Sequence, residues 1–114
     1  MCRTIASLYY KKEHFLYLGR NSTYPLSLEG ALKLKELAYV HAEGTTAAEM
    51  KHGPIALIDD RIPVIALIPN DRLYEKTLGN IAELKARNAT VIALTTEPSP
   101  LPSSYANHIL TIPN

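Results

Sequence analysis

Three charged side chains and a histidine stand out in this 114-residue chain for the chemistry their spacing permits. Glu29, Lys33 and Glu36 lie in the stretch YPLSLEGALKLKE, residues 24–36, and His52 follows in His52-Gly53-Pro54. With 3.6 residues per helical turn, positions i, i+4 and i+7 share one narrow stripe. Leu28, Ala31 and Leu32 flank that stripe on one side and Gly30, Leu34 and Leu37 on the other. Such a helix is apolar around most of its circumference and is expected to be buried. Buried carboxylates and amines persist when paired, or when a reaction uses their perturbed proton affinities, so acid–base work is the chemistry to look for. Glu29 to Lys33 is equally the orientation of an ordinary stabilising surface pair, and helical spacing alone leaves both readings open.

The elements that must position these residues alternate in type. Residues 3–10 form a short amphipathic end and Lys11-Lys12-Glu13 a charged turn; the apolar run Phe15–Leu18, closed by Gly19, predicts a buried strand. Arg20-Asn21-Ser22-Thr23 offers polar cap residues and Pro25 suits a first turn, which places the helix at about Thr23–Ala38. Tyr39–Gly44 alternates like a short strand, and Thr46-Ala47-Ala48-Glu49 reads as a capping box opening a brief helix. Gly53 can end that helix in a left-handed conformation, which holds His52 at a tight bend.

Beyond it, Pro63–Ile68 is apolar throughout, as a central parallel strand should be. Pro69-Asn70-Asp71 then turns into a helix running to about Arg87, with Asn88 as its stop. Its expected inner stripe is Leu78, Ile81, Ala82 and Lys85, opposite a solvated face of Glu75, Lys76, Glu83 and Arg87. Ala89–Thr95 is a further strand, residues 97–104 a Pro/Ser-rich loop and Ile109–Ile112 a last strand. Strands alternating with helices predict an α/β fold: a three-layer αβα sandwich on a mostly parallel sheet, with ligands near the carboxyl ends of the strands.

Length and composition fit one small domain, residues 13–114, preceded by the tail of a helix and a turn in 1–12. Twelve basic against eleven acidic residues leave a charge of +1 with no basic block, which argues against nucleic acid and a membrane surface as partners. No apolar run is long enough to cross a membrane. The one cysteine, Cys2, excludes an internal disulfide, and a cytoplasmic home is expected. His14, His41, His52 and His108 do not pair at metal-ligand spacing, so no metal and no cofactor are expected. His41-Ala42-Glu43 is the nearest approach: on a strand its two side chains point to one face, where a structural hydrogen bond is the expected outcome.

Taken as one string, FLYLGR, YPLSLEGALKLKE, HAE, EMKHGPIALID and PVIALIPN resemble the second SIS (sugar isomerase) domain of the glutamine:fructose-6-phosphate aminotransferases, the glucosamine-6-phosphate synthases. The resemblance runs from about Lys12 to the end. It departs where the family's usual tyrosine and glycine before the EMKHGP segment give way to Thr45 or Thr46 and Ala48. It implies a flavodoxin-like fold and a reaction that opens fructose-6-phosphate, adds ammonia and moves a proton between C1 and C2 to yield glucosamine-6-phosphate. By similarity Glu36 is the base and His52 assists ring opening, while Lys33 and Glu29 hold sugar hydroxyls and tune Glu36. Glu36 and His52 stand 16 residues apart; in the family the histidine can serve a neighbouring subunit's site, so the resemblance implies a homodimer.

The family's glutaminase region, its first SIS half with phosphate-cradling serines and its Schiff-base lysine tail have no counterpart in these residues. The loop before the first long helix has no serine-rich run either, so phosphate binding is not expected there. A fragment or stand-alone remnant, inactive by itself, is the resulting expectation. Two alternatives stand beside it: a non-catalytic sugar-phosphate-binding SIS module, and a related SIS amino-sugar deaminase or deglycase.

Overall fold

Strands of this chain bury alternate residues on two faces, and their register decides which side chains meet. The computed structural model describes residues 2–20, 23–38, 40–46, 62–69, 71–72, 74–96 and 103–113. In chain order these form α1 (Cys2–Tyr9), β1 (His14–Gly19), α2 (Tyr24–Ala38), β2 (His41–Thr46), β3 (Pro63–Ile68), α3 (Tyr74–Ala86), β4 (Thr90–Thr96) and β5 (His108–Ile112), with a 3-10 turn at Ser103–Tyr105. The strands make one sheet in the order β2-β1-β3-β4-β5. Every neighbouring pair is parallel. The direction of the winding reverses between β1 and β3, which is the switch point of a doubly wound α/β fold.

Leu16 and Leu18 stand in register with Val64 and Ala66, and these with Val91 and Ala93. With Ile68 they form one buried face, closed by Ile81 and Leu84 of α3. The opposite face carries Phe15, Tyr17, Ile65, Leu67, Ile92 and Leu94, against which α1 and α2 lie. The three layers are thus α1 and α2, the sheet, and α3.

Two features position α2. Gly19 ends β1 where the chain doubles back on Thr23, leaving no room for a Cβ. Further along, a Cβ on Gly44 of β2 would lie 3.0 Å from the Leu28 Cα, so glycine lets the helix backbone rest directly on the edge strand. Thr23 closes the turn before α2: its Oγ1 accepts from the Arg20 N–H at 2.8 Å and donates to the Arg20 carbonyl at 3.0 Å.

The expected stop of α3 is present. Asn88 takes a left-handed φ of 61°, while its N–H donates to the Lys85 carbonyl and the Ala89 N–H to that of Leu84. That paired arrangement is the Schellman ending. The inner stripe of α3 differs from the expected Leu78, Ile81, Ala82 and Lys85: Tyr74, Thr77, Asn80, Ile81 and Leu84 are buried and Ala82 is exposed. The helix is turned so that its largest apolar side chains, including Leu84, meet the sheet. Lys85 is left at the rim, where Nζ donates to the Ala89 carbonyl and to Asn107 Oδ1.

Candidate functional site

Helix α2 carries Glu29, Lys33 and Glu36. Ser27 and Ala31 are its buried residues, and Leu34 and Ala38 continue that inner line under the helix. The charged stripe lies half a turn away and faces outward. Lys33 Nζ stands 3.6 Å from Glu29 Oε1, with both side chains 60% exposed, and Glu36 is exposed as well.

The expectation of a buried helix is therefore corrected. One sheet covers one side of a helix, and the remaining apolar positions stay open: Leu26 is 62% exposed, Leu37 80%, and Leu28 and Leu32 are also exposed. Glu29, Lys33 and Glu36 share one face, as their spacing requires, but the described residues do not desolvate them. His52, its tight bend and the EMKHGP segment lie outside the described residues, as do the expected capping box beyond Thr46 and most of the Pro/Ser-rich loop.

The carboxyl end of the sheet holds polar groups that the sequence reading missed. Arg20, directly after β1, reads in the sequence only as a cap residue; its Nη2 donates to Asn80 Oδ1 of α3 at 3.0 Å. Arg20 Nε, the Tyr74 hydroxyl at the start of α3 and Thr95 Oγ1 near the end of β4 are buried without a hydrogen-bond partner among the described residues. The residue type of Arg20, placed immediately after a strand, was the one available signal. Its reach to α3 depends on strand order, which local sequence does not show.

At the opposite, amino end, β1 and β2 bring together two histidines that are far apart in sequence. His14 and His41 are register partners whose rings meet edge to face with centres 5.4 Å apart. His41 Nε2 lies 3.1 Å from Glu43 Oε1, which is the hydrogen bond expected for His41-Ala42-Glu43. The sheet brings the His14 and His41 rings side by side although no ligand spacing in the sequence pairs them. Across the sheet, the Tyr9 hydroxyl and His108 Nε2 are 2.9 Å apart and tie α1 to β5.

Between α1 and α2 runs an apolar groove of about 530 Å³, lined by Tyr9, Phe15, Tyr17, Leu34, Ile65 and Leu94 among others. Glu29, Lys33 and Glu36 do not line it.

Comparison with known proteins bears on this arrangement. A model of the SIS domain matches residues 8–114. The glutamine–fructose-6-phosphate aminotransferase (isomerizing) of Aquifex aeolicus is 50% identical over 109 residues, covering 96% of this chain and 18% of that protein. The chain thus spans less than one fifth of the length of such curated relatives. Among solved structures, the C-terminal domain of glucosamine-fructose-6-phosphate aminotransferase from Francisella tularensis superimposes with a TM-score of 0.90 at 39% identity, over 96% of this chain and 31% of that one. Glucosamine-6-phosphate deaminase from Thermotoga maritima follows with a TM-score of 0.69 at 29% identity, over 80% of this chain and 28% of that one.

Proposed function

The chain belongs to the SIS domain family, and from that premise we propose that it is the proton-transfer segment of an aminotransferase-isomerase making glucosamine-6-phosphate from fructose-6-phosphate and glutamine-derived ammonia. Moving a proton between adjacent sugar carbons needs one carboxylate able to take and return it, and Glu36 is assigned that role. Lys33 and Glu29, one turn and two turns back on the same face, are assigned the sugar hydroxyls. His52 is assigned the ring-opening proton.

The observation that carries this reading is the outward stripe itself. Glu29, Lys33 and Glu36 lie together on the side of α2 away from the sheet, flanked by leucines that nothing described covers. A base of tuned affinity needs a dry site. On this reading a further element or a second subunit closes over α2, supplies that desolvation and completes the sugar site. A homodimer with His52 at its boundary satisfies the requirement, and a cytoplasmic setting accords with a chain that has one cysteine.

The test is Glu36→Gln in a complete enzyme carrying this segment. Isomerisation should fall about 100-fold or more while sugar-phosphate binding changes little. Near-normal turnover would remove Glu36 from the role and favour a non-catalytic sugar-phosphate-binding module. An amino-sugar deaminase is the other reading, favoured by the similarity to the Thermotoga maritima deaminase; release of ammonia from glucosamine-6-phosphate without glutamine would mark it.

A further inference from the structure

His14 opens β1 and His41 opens β2, and the parallel register sets them side by side. Neighbouring strands lie about 4.8 Å apart, and register partners leave the sheet on the same face. By the alternation of the strand that face is the one Leu16 and Leu18 occupy, away from α2. Glu43, two residues beyond His41 and so on the same face, places Oε1 3.1 Å from His41 Nε2. A carboxylate accepts and does not donate, so Nε2 carries the proton in this contact and Nδ1 of a neutral His41 keeps its lone pair. All three side chains are exposed and open to solutes.

We propose that His14 and His41 form a two-histidine chelate for a divalent transition metal ion, with Glu43 holding the His41 ring in tautomer and orientation and water filling the other positions. An imidazole nitrogen binds Zn²⁺ at about 2.0–2.1 Å, which sets the ion roughly 3 Å from each ring centre and two rings on one tetrahedral ion roughly 5 Å apart. The observed separation of the ring centres is 5.4 Å with the rings edge to face at 64°, so the spacing matches, and turning the exposed rings until a nitrogen of each faces one point would complete the chelate. A carboxylate bonded to the second nitrogen of a metal-bound histidine is the usual way such a ring is fixed and its basicity raised. Imidazole suits Zn²⁺, Ni²⁺ and Cu²⁺ and leaves Mg²⁺ and Ca²⁺ to oxygen ligands. No group of three or more histidine, cysteine, aspartate or glutamate side chains among the described residues is arranged to hold a metal. The chelate is therefore open-faced and weaker than a closed four-ligand site. Its physical consequence is a clip between edge strand β2 and β1 at the amino end of the sheet.

The test is calorimetric titration of Ni²⁺ into the untagged full chain carrying Cys2→Ser, which removes the thiol as a competing ligand. One equivalent should bind, and His14→Ala or His41→Ala should each weaken binding ten-fold or more. Glu43→Gln should weaken it several-fold, and His108→Ala should leave it unchanged. Circular dichroism checks that each variant folds. Saturating Ni²⁺ should also raise the thermal unfolding midpoint of the parent, and not that of the His14→Ala/His41→Ala double variant. Absence of binding, or equal affinity in the parent and the double variant, would overturn the proposal.

Discussion

Lys33 Nζ and Glu29 Oε1 face each other at 3.6 Å across one turn of α2, on a side of the helix that the sheet does not reach. Exposed pairs of this kind stabilise a helix by about 0.3–0.5 kcal/mol and are screened by salt. Lys33→Met or Glu29→Gln should accordingly change the unfolding free energy of the isolated chain, measured by urea denaturation, by no more than that amount. In a complete enzyme bearing the segment, the same substitutions should lower kcat/KM for the sugar phosphate by ten-fold or more. A large stability loss in the isolated chain would mean that the pair is structural and would weaken its assignment to substrate.

Glycine-to-alanine substitution should have opposite signs at two positions. A Cβ on Gly44 would lie 3.0 Å from backbone and side-chain atoms of Leu28, so Gly44→Ala pushes α2 off the edge strand and should cost about 1–3 kcal/mol. Gly79 lies within α3, and a Cβ there would meet nothing within 4 Å. Gly79→Ala should then stabilise by about 0.5–1 kcal/mol through helix propensity. Equilibrium denaturation of both variants checks the pair, and the same sign in both would contradict this packing of α2.

Leu26 and Leu37 leave large apolar side chains in water, a liability that covering them would remove. The chain should sediment as a dimer at micromolar concentration, and Leu26→Asp with Leu37→Asp should shift it toward a folded monomer, checked by circular dichroism. Monomeric parent protein at every accessible concentration would remove α2 as a self-association surface.

Alkaline pH should destabilise the fold through its tyrosines. Burial raises the pKa of Tyr17 and Tyr9 above the ordinary 10.0; burial does the same for Tyr74, followed by the charges of Glu75 and Tyr105. Above pH 10 the unfolded chain gives up phenolic protons that the folded chain retains, so stability falls as pH rises from there and is unaffected by these groups well below it. Urea midpoints should hold steady to about pH 9 and drop beyond pH 10. Tyr17→Phe should flatten the drop; an unchanged slope in that variant would assign the effect to other groups.

How much of this was legible beforehand can be read from particular residues. The apolar run Pro63–Ile68, the helix ending at Ala38 and the stop at Asn88 were visible in the chain, because hydrophobic period and left-handed propensity are local properties that each segment carries with it. The same holds for the shared face of Glu29, Lys33 and Glu36, which follows from helical geometry once the helix exists. Exposure was not legible. An apolar circumference says that a helix has surface to bury, not that the chain supplies a partner for every side, and α2 receives a sheet on the Ser27 and Ala31 side only.

Sequence by itself therefore determined the type and order of the long described elements, the α/β class and the composition of the charged stripe. Tertiary structure decided the rest: that the stripe faces away from the sheet, that Arg20 reaches Asn80, that Tyr74, Thr77 and Leu84 rather than Ala82 point into the core, and that His14 meets His41. Each of these depends on strand order or on the rotation of a helix about its axis. Both are settled by the best simultaneous packing of segments distant in sequence, and no local pattern encodes that packing.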